Sequence, residues 1–285
     1  LSKWRFFFVV LVARMLRLRL GCFVSRGSTR LIGVSRLKVA TTKSILQKRA
    51  FHLPLKNISL QKMKIRPASL QFLKDLAGNN TREWFQANKD RYEAALENLK
   101  QFTKAVETAL EETDHIEGAH LFRIYRDVRF SKDKSPYKNN FGMGFTRATN
   151  RLRGGYYLQI EPGGSFAGGG FWQPNAPDLK RIRDEFAADD QPIREIMADP
   201  IFQKYFGVLQ GEELKSAPRG YDKNSPALDL IRKKNFTVHR SFTDAEVTSD
   251  NFLLEVKQTF EAMRPYFDYM SMVLTTDLNG ESLLD

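Results

Sequence analysis

The sequence predicts an α+β fold from about residue 63 onward, with N-terminal helices, a central antiparallel β-meander and C-terminal helices packed on the sheet. Three observations predict it. Apolar residues recur at helical spacing between residues 69 and 113; the spacing becomes strict alternation from residue 121, with turn residues between the segments; helical spacing then returns at residue 178.

The first predicted helix, Ser69 to Ala77, sets Leu70, Leu73 and Leu76 on one face with Phe72 beside them, and Gly78 is a natural C-terminal stop. Asn80 as N-cap with Glu83 three residues on reads as a capping box. It opens a long amphipathic helix, or two in succession, carrying Trp84, Tyr92, Leu96, Leu99, Phe102, Val106 and Leu110 and ending near Thr113. From Leu121 to Phe130 the period is two. Phe122, Ile124, Val128 and Phe130 share one face of a predicted strand, and Arg123, Tyr125, Asp127 and Arg129 the other. Phe141 to Arg147, Gly155 to Glu161 and Ser165 to Trp172 follow as strands, with Pro162-Gly163-Gly164 turning a hairpin. Asp178 to Ala188 and Gln191 to Met197 are helical. Lys215 to Phe242 is loop-rich with a strand at Asn235 to Arg240, and Asn251 to Phe267 forms the last helix through Phe252, Val256, Phe260 and Met263.

Residues 1–62 differ in kind. They hold fourteen Lys or Arg and no Asp or Glu, so the net charge of +12 resides there, and the rest of the chain carries 31 basic against 33 acidic groups. Their apolar run, Phe6 to Ala13, is far shorter than the roughly 20 residues a membrane span needs, so no transmembrane segment is expected. The chain begins with Leu1, and Met63 stands just before the first patterned helix. Residues 1–62 are therefore expected to lie outside the fold, as upstream or non-native sequence, and residues 63–285 to form a single α+β domain. The alternative is an organelle transit peptide, for which an Arg-rich, Ser/Thr-containing, acid-free segment is suited.

With 42% apolar residues the chain can fill a core, which argues against a disordered or fibrous class. Its only cysteine, Cys22, lies in the leader, so residues 63–285 have no disulfide, Cys–zinc site or thiol nucleophile. That fits a cytoplasmic protein, or an organellar one if the leader is a transit peptide. A near-neutral domain without an RRM, OB or helix-turn-helix signature does not favour nucleic acid as a partner, and the sequence sets no oligomeric state.

The densest polar chemistry is RIYRDVRFSKDKSPYK, Arg123 to Lys138. Strand geometry would aim Arg123, Tyr125, Asp127 and Arg129 one way and leave Arg126 among apolar neighbours in need of a partner. Lys132, Lys134, Tyr137 and Lys138 would occupy the turn that follows. The order Arg123, Arg126, Asp127, Arg129, Phe130, then Asp133-Lys134 and Tyr137, resembles the signature of a bacterial and fungal group, the domain-of-unknown-function family 2461. The stretch NNTREWFQANKDRY, Asn79 to Tyr92, resembles that family's first region, and the likeness runs from Pro67 to Leu274. The resemblance implies a single domain and marks these residues for testing; it brings no activity.

Two readings of the cluster stay open. In one, the guanidinium groups and Asp127 form an architectural network, with Arg126 paired to a carboxylate of the first helical region, and the protein is a non-catalytic interaction module. In the other, Arg123, Arg126, Asp127, Arg129, Lys134 and Tyr137 converge on an anionic small molecule, a phosphate or carboxylate. Neighbouring arginines would hold Asp127 ionised, which suits orienting an arginine better than acting as a base. A second candidate wall is Pro218-Arg219-Gly220-Tyr221-Asp222, where Arg219 and Tyr221 are the ligand-binding candidates. No cofactor or metal site is expected: His115 and His120, with Asp114 and Glu117, read as a solvated loop, and GGSFA at Gly163 to Ala167 misses a nucleophile elbow. The glycines of GMGF, Gly142 to Phe145, and AGGG, Ala167 to Gly170, relieve packing or bend strands.

Overall fold

The computed structural model describes residues 63–129 and 132–284; residues 1–62, Phe130, Ser131 and Asp285 lie outside it, and with them the expectations that fall there. Helices α1 (Pro67–Gly78), α2 (Arg82–Ala87) and α3 (Lys89–Leu110) come first. Strands β1 (Ile116–Leu121), β2 (Phe141–Arg147), β3 (Gly155–Ile160) and β4 (Ser165–Phe171) follow as a meander. Then come α4 (Ala176–Ala188), α5 (Gln191–Ala198), α6 (Pro200–Tyr205) and α7 (Leu228–Ile231). β5 (Phe236–Phe242), α8 (Asp244–Val247), α9 (Phe252–Ala262) and α10 (Arg264–Thr275) complete the order. The strands form one antiparallel sheet in the order β1-β2-β3-β4-β5, so the fold is α+β as the periodicities predict.

Alternation assigns the two sheet faces. Phe141, Met143 and Phe145 of β2, Tyr156, Leu158 and Ile160 of β3, Ala167 and Phe171 of β4, and Phe236, Val238 and Phe242 of β5 are all buried. They meet the apolar stripes of the helices. Phe145 and Tyr156 pack on Phe260 of α9, Tyr156 also on Phe267 of α10, and Tyr92 of α3 stacks on Phe141. The opposite face carries His120, Phe122, Tyr157, Gln159, Phe166, His239 and Ser241, exposed or half-buried. Among the described residues no helix is long and apolar enough to cross a membrane.

Four expectations are corrected. The first strand is Ile116–Leu121, not Leu121 to Phe130. Ile116–Leu121 is an edge strand with half-buried positions, so its sequence IEGAHL carries little apolar alternation and resembles a loop. After it the chain leaves regular pairing but does not part from β2. Phe122 N–H donates to Gly142 O, Lys138 N–H to Ile124 O and Arg126 N–H to Pro136 O, so residues 122–126 and 136–140 extend the β1–β2 hairpin beyond its regular pairing. The N-cap of α2 is Thr81, whose hydroxyl accepts from Trp84 N–H; Asn80 instead brackets the Tyr137 backbone, its amide donating to Tyr137 O and accepting from Tyr137 N–H. The expected last helix is two, broken at Met263, because Pro265 can neither donate a backbone hydrogen bond nor clear the carbonyl of the preceding turn. Residues 114–120 are not a solvated loop: Asp114 is buried and His120 lies in β1.

Three buried tyrosines, Tyr156 of β3 and Tyr266 and Tyr269 of α10, set a pH limit on stability. Burial pushes the Tyr156, Tyr266 and Tyr269 hydroxyls well above their ordinary value. A raised folded-state value means that each contribution is complete below the unfolded value of about 10. It is lost as pH rises beyond that, at about 1.4 kcal/mol per pH unit for each ring. The expected result is a melting temperature that falls steeply above pH 10, with tyrosinate absorbance for these rings appearing only as the fold is lost. Full tyrosinate absorbance from an intact fold would contradict it.

Candidate functional site

At the hairpin tip the cationic cluster pairs with itself. Arg129 grips Asp127 with two nitrogens, Nε to Oδ1 at 2.9 Å and Nη2 to Oδ2 at 2.6 Å, and this holds the Asp127 carboxyl below the usual range. Arg126 pairs with Asp133, not with a carboxylate of the first helices. Asp133 also accepts from the Ser135 hydroxyl and N–H, and these bonds with Arg126 press its carboxyl far down. Lys134 Nζ donates to Val128 O at 2.9 Å. Tyr137 is buried and stacks on Phe85 of α2, ring centroids 4.0 Å apart. Of the six hairpin candidates, Arg123 and Tyr137 make no hydrogen bond or ion pair through their side chains with a described residue, and the two hydrogen bonds of Tyr137 run through its backbone. Among its described residues the tip is a solvated set of local ion pairs, which water screens strongly.

Arg219 and Tyr221 stand elsewhere, in the wall of a cavity of about 350 Å³ whose floor is one face of α4. Helical spacing puts Ala176, Leu179, Lys180 and Arg183 on that face, and Pro218, Arg219 and Tyr221 close over it. The loop is pinned by the Tyr221 hydroxyl, which donates to Asp184 Oδ1 at 2.8 Å; burial and that carboxylate push the hydroxyl up to about 12, so it stays a donor at neutral pH. Lys180 pairs with Asp184 at 2.6 Å. Arg183 gives Nη2 to Lys233 O at 3.0 Å, but its Nε is buried without an acceptor among the described residues, and burial lowers its pKa. Arg219 has no hydrogen bond or ion pair with a described residue. Half-buried Arg183 and exposed Arg219 therefore line one cavity, neither paired with a carboxylate of a described residue. Arg183 carried a legible signal, since it sits between Ile182 and Phe186 of an amphipathic helix, where a cation is half-buried by its neighbours.

A third polar group lies beneath the sheet. Arg147 ends β2 on the helix-covered face with its side chain fully enclosed. Nε donates to Asp114 Oδ2 at 2.7 Å, Nη1 to Arg153 O at 2.9 Å and Ser271 Oγ at 3.3 Å, and Nη2 to Asp268 Oδ1 at 2.9 Å. Asp114 also accepts from the Tyr156 hydroxyl at 2.6 Å and meets Arg264 at 3.3 Å. Every nitrogen of the Arg147 guanidinium is satisfied, as expected of an architectural group. It too was legible: Phe141, Met143, Phe145 and Arg147 share one parity, so the arginine had to be buried with a carboxylate.

Residues 68–269 match the model of a family described as conserved hypothetical protein (DUF2461). No curated protein and no solved structure matches the chain.

Proposed function

Because the chain belongs to that family of conserved hypothetical proteins, whose description carries no activity, we propose a function from the geometry of the site: the cavity on α4 binds a compact anionic small molecule, a phosphate monoester or carboxylate. One observation carries the reading. Exposed Arg219 and half-buried Arg183 line the same cavity without an ion pair to a described carboxylate, and an anion there would supply the charge partner that neither has among the described residues. Lys180 adds charge, and the Tyr221 hydroxyl keeps the wall in place. The volume lies at the small end for ligand sites. The wall holds no histidine or cysteine, and Asp184, which anchors it, is already engaged by Lys180 and Tyr221. The arrangement thus supports binding and supplies no evident base or nucleophile.

The anion expected for the hairpin is moved by this reading to Arg219 and Tyr221, with Arg183 and Lys180. The test is isothermal titration and thermal shift of the full chain with inorganic phosphate and a panel of phosphorylated and carboxylated metabolites. Arg219→Ala is expected to weaken the best binder about tenfold or more, since a charge-assisted bond is worth ~1.5–3 kcal/mol. Arg129→Ala should leave affinity unchanged. The opposite pattern would return the site to the hairpin, and no binder at millimolar concentration would end the proposal.

A further inference from the structure

The open sheet face carries a second surface, independent of the α4 cavity. Register aligns two rows across it. His120, Gly144, Tyr157, Gly168 and His239 pair in succession from β1 to β5. Beside them run Gly142, Gln159, Phe166 and Ser241, with Phe122 N–H bonded to Gly142 O at the β1 end. The rings touch in one continuous band. Centroids are 4.7 Å apart for His120 and Phe122, 6.3 Å for Phe122 and Tyr157, 5.6 Å for Tyr157 and Phe166, and 5.4 Å for Phe166 and His239. Four strand spacings make the band roughly 19 Å wide.

The glycines explain how the rings lie. A Cβ at Gly142 would fall 2.5 Å from Tyr157 Oη, and one at Gly144 would fall 3.3 Å from Phe122 Cε2. Tyr157 and Phe122 therefore lean across the neighbouring strand instead of standing away from it. Phe122 is 41% exposed and His120 and His239 are exposed, so the band is presented to solvent. A contiguous aromatic surface of this kind marks an interaction site more often than it marks packing.

Charge selects the occupant. β1 runs from the band directly into the cationic hairpin; Lys138 Nζ sits 6.0 Å from the Phe122 ring centroid, and Arg123 is the next residue along the chain. Arg123, Lys132 and Lys138 make no ion pair with a described residue, unlike Arg126 and Arg129. On the β3 side, Gln159 donates to Glu161 at 2.6 Å, which disfavours phosphate there and leaves the middle of the face to uncharged groups. A row of rings with Lys138 beside Phe122 at one end, leading into the cationic hairpin, is complementary to a polymer of stacking bases joined by phosphates. A face this open suits a chain that lays down successive rings better than one enclosed small molecule.

We propose that this face binds single-stranded nucleic acid, with bases stacked on Phe122, Tyr157 and Phe166 and the backbone passing Arg123, Lys132 and Lys138. The near-neutral balance of residues 63–285 does not oppose it, because the hairpin's excess positive charge is local.

The experiment uses the full chain and a single-stranded oligonucleotide containing 2-aminopurine, whose fluorescence is quenched on stacking, so that phosphate attraction to basic residues 1–62 does not produce the signal by itself. Quenching is expected on binding. Phe122→Ala and Phe166→Ala should each raise Kd about tenfold and remove most of the quenching, as loss of one stacked base does. Phe122 is solvent-exposed, so its variant is expected to keep the parent's melting temperature and to remain decisive if Phe166→Ala unfolds. Arg123→Ala should reduce the slope of log Kd against log salt. Quenching that survives both phenylalanine variants would place binding elsewhere on the chain and overturn the proposal. So would equal affinity for the corresponding duplex, or equal affinity for an uncharged oligosaccharide.

Discussion

Arg147→Ala is expected to destabilise the protein by about 3–5 kcal/mol, the cost of removing one partner from a buried charge network. The Arg147 side chain has no solvent exposure, and neither in effect has Asp114, at 1%. Without the guanidinium, Asp114 keeps the Tyr156 hydroxyl, the His115 N–H and the longer contact to Arg264, but loses its closest cation. Ser271 and the Arg153 carbonyl lose a donor, and the Phe267 ring loses a cation 5.4 Å from its centroid. Asp268 is 47% exposed and can turn to water, so Asp268→Asn should cost far less, about 1 kcal/mol or under. Urea unfolding of both variants measures the difference. An Arg147→Ala loss below about 1 kcal/mol would show that the network adds little beyond packing.

Gly170→Ala should cost about 2–4 kcal/mol, combining backbone strain with overpacking. Gly170 lies in β4 opposite Thr237 with φ of 123°, a region L residues rarely enter. An added Cβ would stand 2.3 Å from Phe236 O and 2.9 Å from Thr237 Cα. Both are backbone atoms of β5, so no rotamer change relieves the clash and the β4–β5 ladder must shift. Gly163→Ala provides the contrast. It has φ of 70° in the β3–β4 turn but open space around it, so it should lose only the ~1–2 kcal/mol of the left-handed conformation. Equal losses at the two positions, read by chemical denaturation, would refute the steric account.

The hairpin shows how a dense charge cluster pairs within itself. Arg126, Asp127, Arg129, Asp133, Lys134 and Ser135 lie within ten positions, and short-range bonds in a tight tip satisfy most of them locally. The α4 cavity is the reverse case. Its arginines come from segments 36 residues apart, Arg183 and Arg219, and neither forms an ion pair with a described carboxylate.

What the sequence determined by itself is what depends on neighbours in the chain. Helical spacing placed α1, α3, α4, α5 and α9, and alternation with turn residues placed β2, β3, β4 and most of β5, because a stripe or face of apolar residues can be buried in only one kind of element. The same reasoning placed the first strand too late, since an edge strand half-open to water needs no apolar alternation. Tertiary structure decided the rest. Asp114 and Asp268 stand 33 and 121 residues from Arg147, and the aromatic band draws one side chain after another from β1, β3, β4 and β5. Local periodicity reports which side of an element is buried; it carries no information about which distant side chain fills the space opposite, and that choice is made only when the strands pair and the helices close over them.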